Sequence, residues 1–160
     1  MPILGQVSLK NLFGVNPKLV KLVEAAIIIS PIDFRVTEGL RTISRQKHLV
    51  SIGASQTLDS RHLTGDAVDL VPWDGGPRWE WPLIYRMAAH IRRIALNQDL
   101  AIRWGACWDV VNFTHTVKSP EELVQSYITR QKAKGRKAFL DGPHFELCAK
   151  ELQYATFLHR

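Results

Sequence analysis

Length and composition place this chain among globular proteins: it has 160 residues, of which 46% are hydrophobic and 22% are charged. A domain of this size can bury an adequate core without disulfides or a structural metal, and the longest apolar run, Ala25 to Ile29, is far too short to span a membrane. Lysine plus arginine exceed aspartate plus glutamate by 21 to 15, and the net charge of +6 favours an anionic partner, whether nucleic acid, lipid headgroups or an acidic cell-wall polymer.

Helix and strand signals alternate in the first half of the chain. Asn16 followed by Pro17 is a cap and first-turn signal, and Pro31 stops the helical spacing of apolar residues that follows. The patterns predict, in order, a helix over 17–30, a short strand over 33–37, a helix capped by Thr42 that ends near Gly53, and a polar loop over 54–60.

The second half continues the alternation. Ser119, Pro120 and Glu122 form a capping box with proline at the first helical position. The predicted elements are a strand over 67–71, a turn over 74–77, a helix over 82–97, a strand over 100–104, a helix from Ser119 towards Gly135, segments 138–140 and 144–147 around a Gly-Pro corner, and a helix in the last dozen residues. These elements predict an α+β fold, with helices outside a small, mostly antiparallel sheet.

The cysteines and the basic residues carry little functional signal. Cys107 and Cys148 are too few for a disulfide framework and are expected to be buried thiols. The densest basic stretch has no interleaved aromatics and no zinc-finger or RNA-binding signature, which favours a solvated helix face over specific nucleic-acid binding. It contains Arg130, Lys132, Lys134, Arg136 and Lys137.

The sharpest chemical feature is the segment SRHLTGDAVD at residues 60–69. Asp69 lies in an otherwise apolar strand, where a carboxylate without a partner would be costly. A metal ion would remove that cost, and His62, on a turn that Gly65 allows, is near enough in sequence to bind the same ion. Asp66 is a competing carboxylate, but its place at the strand entrance predicts exposure to solvent.

A second feature is the segment DGPHFEL at residues 141–147. The Gly-Pro corner lets Asp141 fold back beside His144, while strand alternation puts His144 and Glu146 on one face. Glu146 is therefore either a rival acid or a partner that orients His144. Two histidines and one carboxylate leave a fourth position open, as in hydrolytic zinc sites. The remaining histidines are expected to be ordinary surface or core residues: His48, His90, His115 and His159.

Together the two segments resemble the VanX/VanY-type zinc peptidases of cell-wall peptides, and above all the bacteriophage endolysins that are L-alanyl-D-glutamate endopeptidases. The pattern Ser-x-His-x-x-Gly-x-Ala-x-Asp is filled from Ser60 to Asp69. Further blocks follow the family order across most of the chain: Glu38-Gly39-Leu40-Arg41-Thr42 with Gln46, Trp104-Gly105 with Trp108, and Asp141-x-x-His144-Phe145-Glu146-Leu147.

The resemblance implies specific roles for the matching residues. One zinc ion per chain would be bound by His62, Asp69 and His144, with Asp141 as the catalytic acid and base. Arg41 would face the substrate, either at its carboxylate or at the developing oxyanion. The other substrate-contacting positions would be Gln46, Ser60, Trp104 and Trp108. Where the family often has Trp-Gly-Gly-Asp-Trp, this chain has Ala106 and Cys107 between Gly105 and Trp108, which removes an acid near the cleft.

The implied function is hydrolysis of the L-Ala to D-Glu bond of peptidoglycan stem peptides during phage lysis. A D,D-carboxypeptidase or D,D-dipeptidase on the same scaffold, and a non-catalytic zinc-containing binding module, are the alternatives. We expect a single peptidase domain over 1–160 without a separate cell-wall-binding domain, acting as a monomer.

The segment 110–140 fits the family pattern poorly. It lacks the clustered oxygen ligands of a calcium site, so no calcium is expected. Its basic stretch is expected to face the anionic envelope, away from the active site. Residues 1–14 show no secretory signal, which predicts accumulation in the host cytoplasm and later release to the cell wall.

Overall fold

Four antiparallel strands organise the fold of the computed structural model, which describes residues 2–153. The strands are β1 (Phe34–Glu38), β2 (Ala67–Pro72), β3 (Ile102–Trp104) and β4 (His144–Leu147), and they lie side by side in the order β1-β2-β4-β3. The α+β fold class predicted from the sequence is confirmed. Within residues 2–153, no helix has the length and apolar character needed to cross a membrane.

The part of the chain that the structure describes contains six α-helices: α1 (Gln6–Asn11), α2 (Pro17–Ile28), α3 (Ile43–Ser51), α4 (Trp81–Asn97), α5 (Pro120–Ala133) and α6 (Ala149–Gln153). The predicted caps form: the side chains of Asn16, Thr42 and Ser119 accept hydrogen bonds from backbone N–H groups, and Glu122 completes the capping box. The end of the predicted C-terminal helix, after Gln153, lies outside the described residues.

The sheet has two chemically different faces, because side chains alternate along each strand. The core face is apolar and buried, and α4 packs against β2 and β3. The strand residues on this core face are Phe34, Val36, Val68, Leu70, Ile102, Trp104, Phe145 and Leu147. The other face carries Asp69, Arg103, His144 and Glu146. One face therefore stabilises the domain and the other is available for chemistry.

A bulge in β1 adjusts the edge of the polar face. Val36 pairs with Leu70, but Glu38 pairs with Asp69, so Thr37 is an extra residue in β1. Bulges commonly redirect a side chain at the end of a strand. Here the bulge places the Glu38 backbone opposite Asp69.

Helix α1 was not predicted from the sequence. It has six residues, no side-chain cap, and one buried residue, Ser8. Its role comes from tertiary contacts with β1: the Ser8 hydroxyl accepts a hydrogen bond from the Val36 N–H at 3.1 Å, and the Asn11 amide donates to the Val36 carbonyl at 2.8 Å. The helix thus covers part of an edge strand that would otherwise expose unpaired backbone groups.

Two expectations about individual residues have different outcomes. Cys107 and Cys148 are free and buried, as predicted, and burial raises the pKa of Cys107 to about 12.

Asp66 was expected to be exposed, but it is half-buried. Its carboxylate accepts hydrogen bonds from Asn16 at 2.9 Å and from Thr64 at 2.6 Å, so Asp66 ties the start of α2 to the turn before β2.

Gly65, in the turn before β2, should tolerate substitution poorly. Its φ is +76°, and a Cβ atom there would lie 2.4 Å from the Gly14 carbonyl oxygen. Gly65→Ala combines the cost of a left-handed conformation, about 1–2 kcal/mol, with a backbone clash. We expect a melting temperature several degrees lower, measured by circular dichroism.

Gly53→Ala is the matched control for that substitution. Gly53 has a φ of +74°, but a Cβ atom there would meet no atom within 4 Å. The control carries the conformational cost without the clash. Equal melting temperatures for the two variants would show that the close approach at Gly65 adds nothing to its cost.

Candidate active site

His62 lies on a 3-10 turn, Arg61–Thr64, between β1 and β2. The Ser60 hydroxyl accepts a hydrogen bond from the His62 N–H at 3.2 Å and so caps the turn, and Gly65 ends it. The ring is buried, and its Nδ1 lies 2.7 Å from the Gly39 carbonyl oxygen, which requires a proton on Nδ1. The Nε2 lone pair is therefore free to bind a metal.

Asp69 and His144 are direct partners across the β2–β4 ladder, on the polar face of the sheet. Their side chains meet His62: the His62 Nε2 atom is 3.1 Å from both Asp69 Oδ1 and His144 Nδ1, and the latter two atoms are 3.4 Å apart. The three residues thus bring one nitrogen or oxygen atom each to a common point, and they could hold a metal ion.

Glu146 lies behind His144 rather than at the cluster. Its Oε2 is 2.8 Å from His144 Nε2, on the side of the ring away from Asp69. A proton on Nε2 directed at this carboxylate leaves Nδ1 as the metal-facing atom. The geometry favours the role of Glu146 as the partner that orients His144, one of the two alternatives that the sequence left open.

The two carboxylates create a strong preference for positive charge between them. Burial opposes ionisation of His144, but hydrogen bonds to Asp69 and Glu146 raise its pKa to about 10. Burial likewise disfavours the ionised form of Asp69, yet the adjacent side chains of His144 and His62 hold its pKa well below the usual range. A metal cation bound between these residues would supply the positive charge that the carboxylates favour, and His144 would then not need its second proton.

Asp141 lines the cleft at the corner that leads into β4. Gly105 permits this corner, because a Cβ atom at Gly105 would lie 2.6 Å from the Asp141 carbonyl oxygen and 2.9 Å from the His144 Cβ atom. Burial, together with the charge of Asp69, raises the pKa of the Asp141 carboxyl to about 6. A carboxylate with such a pKa can both accept and return a proton near neutral pH.

Arg41 is fixed at the β1 side of the cluster. Its Nε and Nη2 atoms donate to the two Glu38 oxygens at 3.0 and 2.6 Å, and Nη1 donates to Gln46 Oε1 at 2.7 Å. Nη2 also lies 3.5 Å from Asp69 Oδ2. Burial opposes ionisation of Glu38, but hydrogen bonds from Arg41 and Arg45 lower its pKa. The Arg41 guanidinium is thus fixed by Glu38 and Gln46, next to the candidate metal ligand Asp69.

Two of the residues expected to contact substrate, Gln46 and Trp104, are buried and do not line the cleft. Gln46 is buried and bridges Arg41 to Ser55 and to the Thr57 carbonyl, so it positions Arg41 from behind. Trp104 is fully buried, since it lies on the core face of β3, opposite Phe145. Its indole nitrogen donates to the Gly142 carbonyl at 2.8 Å and so supports the corner that carries Asp141.

Ser60 and Trp108 do line the cleft, which has a volume of about 920 Å³. The Trp108 ring lies 5.1 Å from the His144 ring, centroid to centroid. Sequence reasoning missed other residues of the wall: Trp79, Trp81, Arg103, Tyr127, Phe139 and Leu140. Tyr127 belongs to α5, so part of the segment 110–140 reaches the site. None of the basic side chains of this segment lines the cleft. Arg103 could have been found, because it alternates with buried Ile102 and Trp104.

Comparisons with known proteins relate this chain to one family of peptidases. The model of the family described as phage L-alanyl-D-glutamate peptidase matches residues 3–148. The L-alanyl-D-glutamate peptidase of Escherichia phage T5 is 29% identical over an alignment of 117 residues that covers 69% of this chain and 85% of that protein. The peptidase of the same name from Listeria phage A118 is 35% identical over 77 residues, 48% of this chain and 27% of its own length.

A solved structure supports the same relationship. The crystal structure of the L-Ala D-Glu endopeptidase ChiX of Serratia marcescens superposes with a TM-score of 0.69 at 34% identity, and the match covers 92% of this chain and 90% of ChiX. The family match over residues 3–148 includes the four strands, the candidate metal ligands and the residues that line the cleft. The chain belongs to the phage L-alanyl-D-glutamate peptidase family.

Proposed function

We propose that this protein is a zinc-dependent endopeptidase that hydrolyses the L-Ala to D-Glu bond of peptidoglycan stem peptides during phage lysis. The observation that carries the proposal is the convergence of His62, Asp69 and His144 at the floor of a cleft, in a chain that belongs to this peptidase family. A cleft, a metal-binding cluster and a nearby acid are the parts that a hydrolytic metal site requires.

The ligand set and its spacing suit zinc. A tetrahedral zinc ion with bonds of about 2.0–2.1 Å holds its ligand atoms about 3.3 Å apart. The three contacts between ligand atoms measure 3.1, 3.1 and 3.4 Å. Three protein ligands leave a fourth position open, where a bound zinc ion would polarise the scissile carbonyl and acidify a water molecule.

The chain's own groups supply the remaining chemistry. Asp141 accepts a proton from the attacking water and returns it to the nitrogen of the leaving amine. Glu146 fixes the tautomer and orientation of His144 through the 2.8 Å contact. Arg41 lies beside Asp69, where its charge stabilises negative charge on the substrate oxygen as the carbonyl is attacked.

The first test identifies the metal and the bond that is cut. Mass spectrometry of peptidoglycan digested with the purified protein should show new L-Ala C-termini and D-Glu N-termini. The cleavage should stop with a chelator and return with zinc. Products ending in D-Ala would instead indicate a D,D-peptidase. Intact peptidoglycan in the presence of zinc would overturn the enzymatic proposal.

The ligand assignment is tested by elemental analysis of His144→Ala. This variant should lose most of its zinc, because it removes one of three ligands. His115→Ala, at an exposed histidine outside the cleft, is the matched control and should keep about one zinc per chain. Full zinc occupancy in the His144 variant would contradict the assignment.

Substitution of Asp141 should mainly lower turnover, whereas substitution of Glu146 should mainly weaken zinc binding. Asp141→Asn should keep zinc but lose about a hundredfold or more in turnover, the scale of a general acid-base group. Glu146→Gln should lose less turnover and bind zinc more weakly, by about 10–100-fold, because the carboxylate behind His144 is gone. The reverse ranking would transfer the acid-base role to Glu146.

The pH profile gives an independent measure of Asp141. The carboxyl must be ionised to accept a proton, so kcat/KM should fall as the pH drops through the Asp141 pKa. Burial and Asp69 raise that pKa to about 6, and a bound cation would draw it lower. An acidic limb that persists unchanged in the residual activity of Asp141→Asn would belong to another group.

The exposed lysines at the end of α5 and just beyond it are proposed to bind the anionic envelope after release of the protein from the host cytoplasm. Lys132, Lys134 and Lys137 are exposed, whereas Arg130 is engaged by Asp109. Replacing the three lysines with glutamine should weaken adsorption to isolated cell walls, most clearly at low salt, because exposed charges are screened over about 10 Å at 0.1 M salt.

Arginine at the same three positions preserves the charge and is the matched control for that experiment. Cleavage of a small soluble muropeptide should stay near the wild-type rate in both variants, since none of these side chains lines the cleft. Adsorption that does not change in the glutamine variant would remove these lysines from envelope binding.

A further inference from the structure

Arg103 is a cleft residue that the mechanism above does not use. It lies on β3 and pairs with Glu146 of β4, so its side chain shares the polar face with His144. Arg41 approaches the same cluster from the β1 side. Because β1 and β3 are the two edge strands, the two guanidinium groups approach the candidate metal ligands on the same face, from opposite edges of the sheet.

The Arg103 guanidinium is held in place but keeps donors available. Its Nε and Nη2 atoms donate to the Trp108 carbonyl, and the group lies 5.2 Å from the centre of the Trp108 ring. Nη1 is 3.8 Å from Glu146 Oε1, beyond hydrogen-bond distance. The side chain is 35% exposed and lines the cleft, so Nη1 can donate to a bound ligand.

The other two arginines of the cleft are less suited to bind a substrate anion. Arg41 is 7% exposed, and its three guanidinium nitrogens already donate to Glu38 and Gln46. Arg61 has no hydrogen-bond partner for its guanidinium within residues 2–153, so binding would cost the entropy of ordering a long side chain. Arg103 combines exposure with a fixed position, and Trp108 joins it to His144.

The proposed substrate presents a matching anion. A D-glutamate residue has two carboxyl groups, and whichever one continues the peptide, the other remains free, only a few bonds from the scissile nitrogen. A planar guanidinium suits a carboxylate because it can donate two parallel hydrogen bonds.

We propose that Arg103 is a specificity residue that binds the free carboxylate of the D-glutamate on the leaving-amine side of the scissile bond. The inference rests on the proposed function, and it divides the work between two arginines. Arg41 acts at the carbonyl beside Asp69, while Arg103 selects the acidic residue that follows.

The test compares two soluble muropeptides, one with the free D-glutamate carboxylate and one with that group converted to a carboxamide. The wild-type protein should prefer the carboxylate by about ten- to a hundredfold in kcat/KM, the scale of a charge-assisted hydrogen bond. Arg103→Gln should lose most of this preference, chiefly through a higher KM for the carboxylate substrate. Arg103→Lys should keep part of it, because charge remains without the bidentate geometry.

Two further variants and two further measurements separate this role from others. Arg86→Gln, at an exposed position of α4 outside the cleft, should retain the full preference, as should Arg61→Gln. Zinc content and melting temperature of Arg103→Gln should match those of the wild type. Equal losses on both substrates, with weakened zinc binding, would mean that Arg103 only supports Glu146 and would overturn the proposal.

The remaining outcomes distinguish the two proposals from each other. Cleavage of both substrates by the wild type without preference would overturn the role of Arg103 and leave the endopeptidase intact. Loss of the preference in Arg61→Gln alone would place carboxylate recognition on the other wall. Failure of the wild type to cleave either substrate would refute the proposed function itself, and the inference with it.

Discussion

The pairing of Asp69 with His144 across two neighbouring strands is the constraint on which the rest of the site depends. Because side chains alternate, a shift of one residue in this register would turn either residue into the core and replace it with an apolar neighbour. Apolar contacts on the other face, among them Val68 and Phe145, maintain the register. The same burial that stabilises the domain therefore brings two candidate metal ligands to within 3.4 Å of each other.

Three side chains of the site, those of His62, His144 and Arg41, are each oriented by another group. The Gly39 carbonyl fixes the tautomer of His62, Glu146 fixes that of His144, and Gln46 with Glu38 holds Arg41. Such support reduces the reorganisation needed when a substrate or metal binds. It also concentrates opposite charges in a half-buried space, where an unpaired member would be costly. The site is consequently a single electrostatic unit rather than a set of independent residues.

The cleft differs in character along its length. On the β1 side, the nearly buried Arg41 guanidinium, paired with Glu38, lies beside the candidate metal ligands. On the β3 side, the more exposed Arg103 guanidinium lies against the Trp108 ring. Aromatic residues from α4, α5 and the loop before β4 form much of the remaining wall. A polar floor with an aromatic wall suits a peptide substrate, whose amides and carboxylates need donors while its apolar parts need contact surface.

The sequence by itself determined the fold class and most helix ends, because these depend on local signals: caps such as Asn16 and Ser119, and apolar periodicity. It also indicated three candidate metal ligands, through an aspartate in an apolar strand and through the resemblance of two segments to the motifs of a peptidase family. It did not determine which side of β3 Trp104 occupies, that Gln46 points at Arg41, or that Arg103 and Tyr127 reach the cleft. Those facts depend on strand order and register, which join residues far apart in the chain. Helix α1 was missed for the same reason: it is stabilised by contacts with the edge strand β1 rather than by signals in its own sequence.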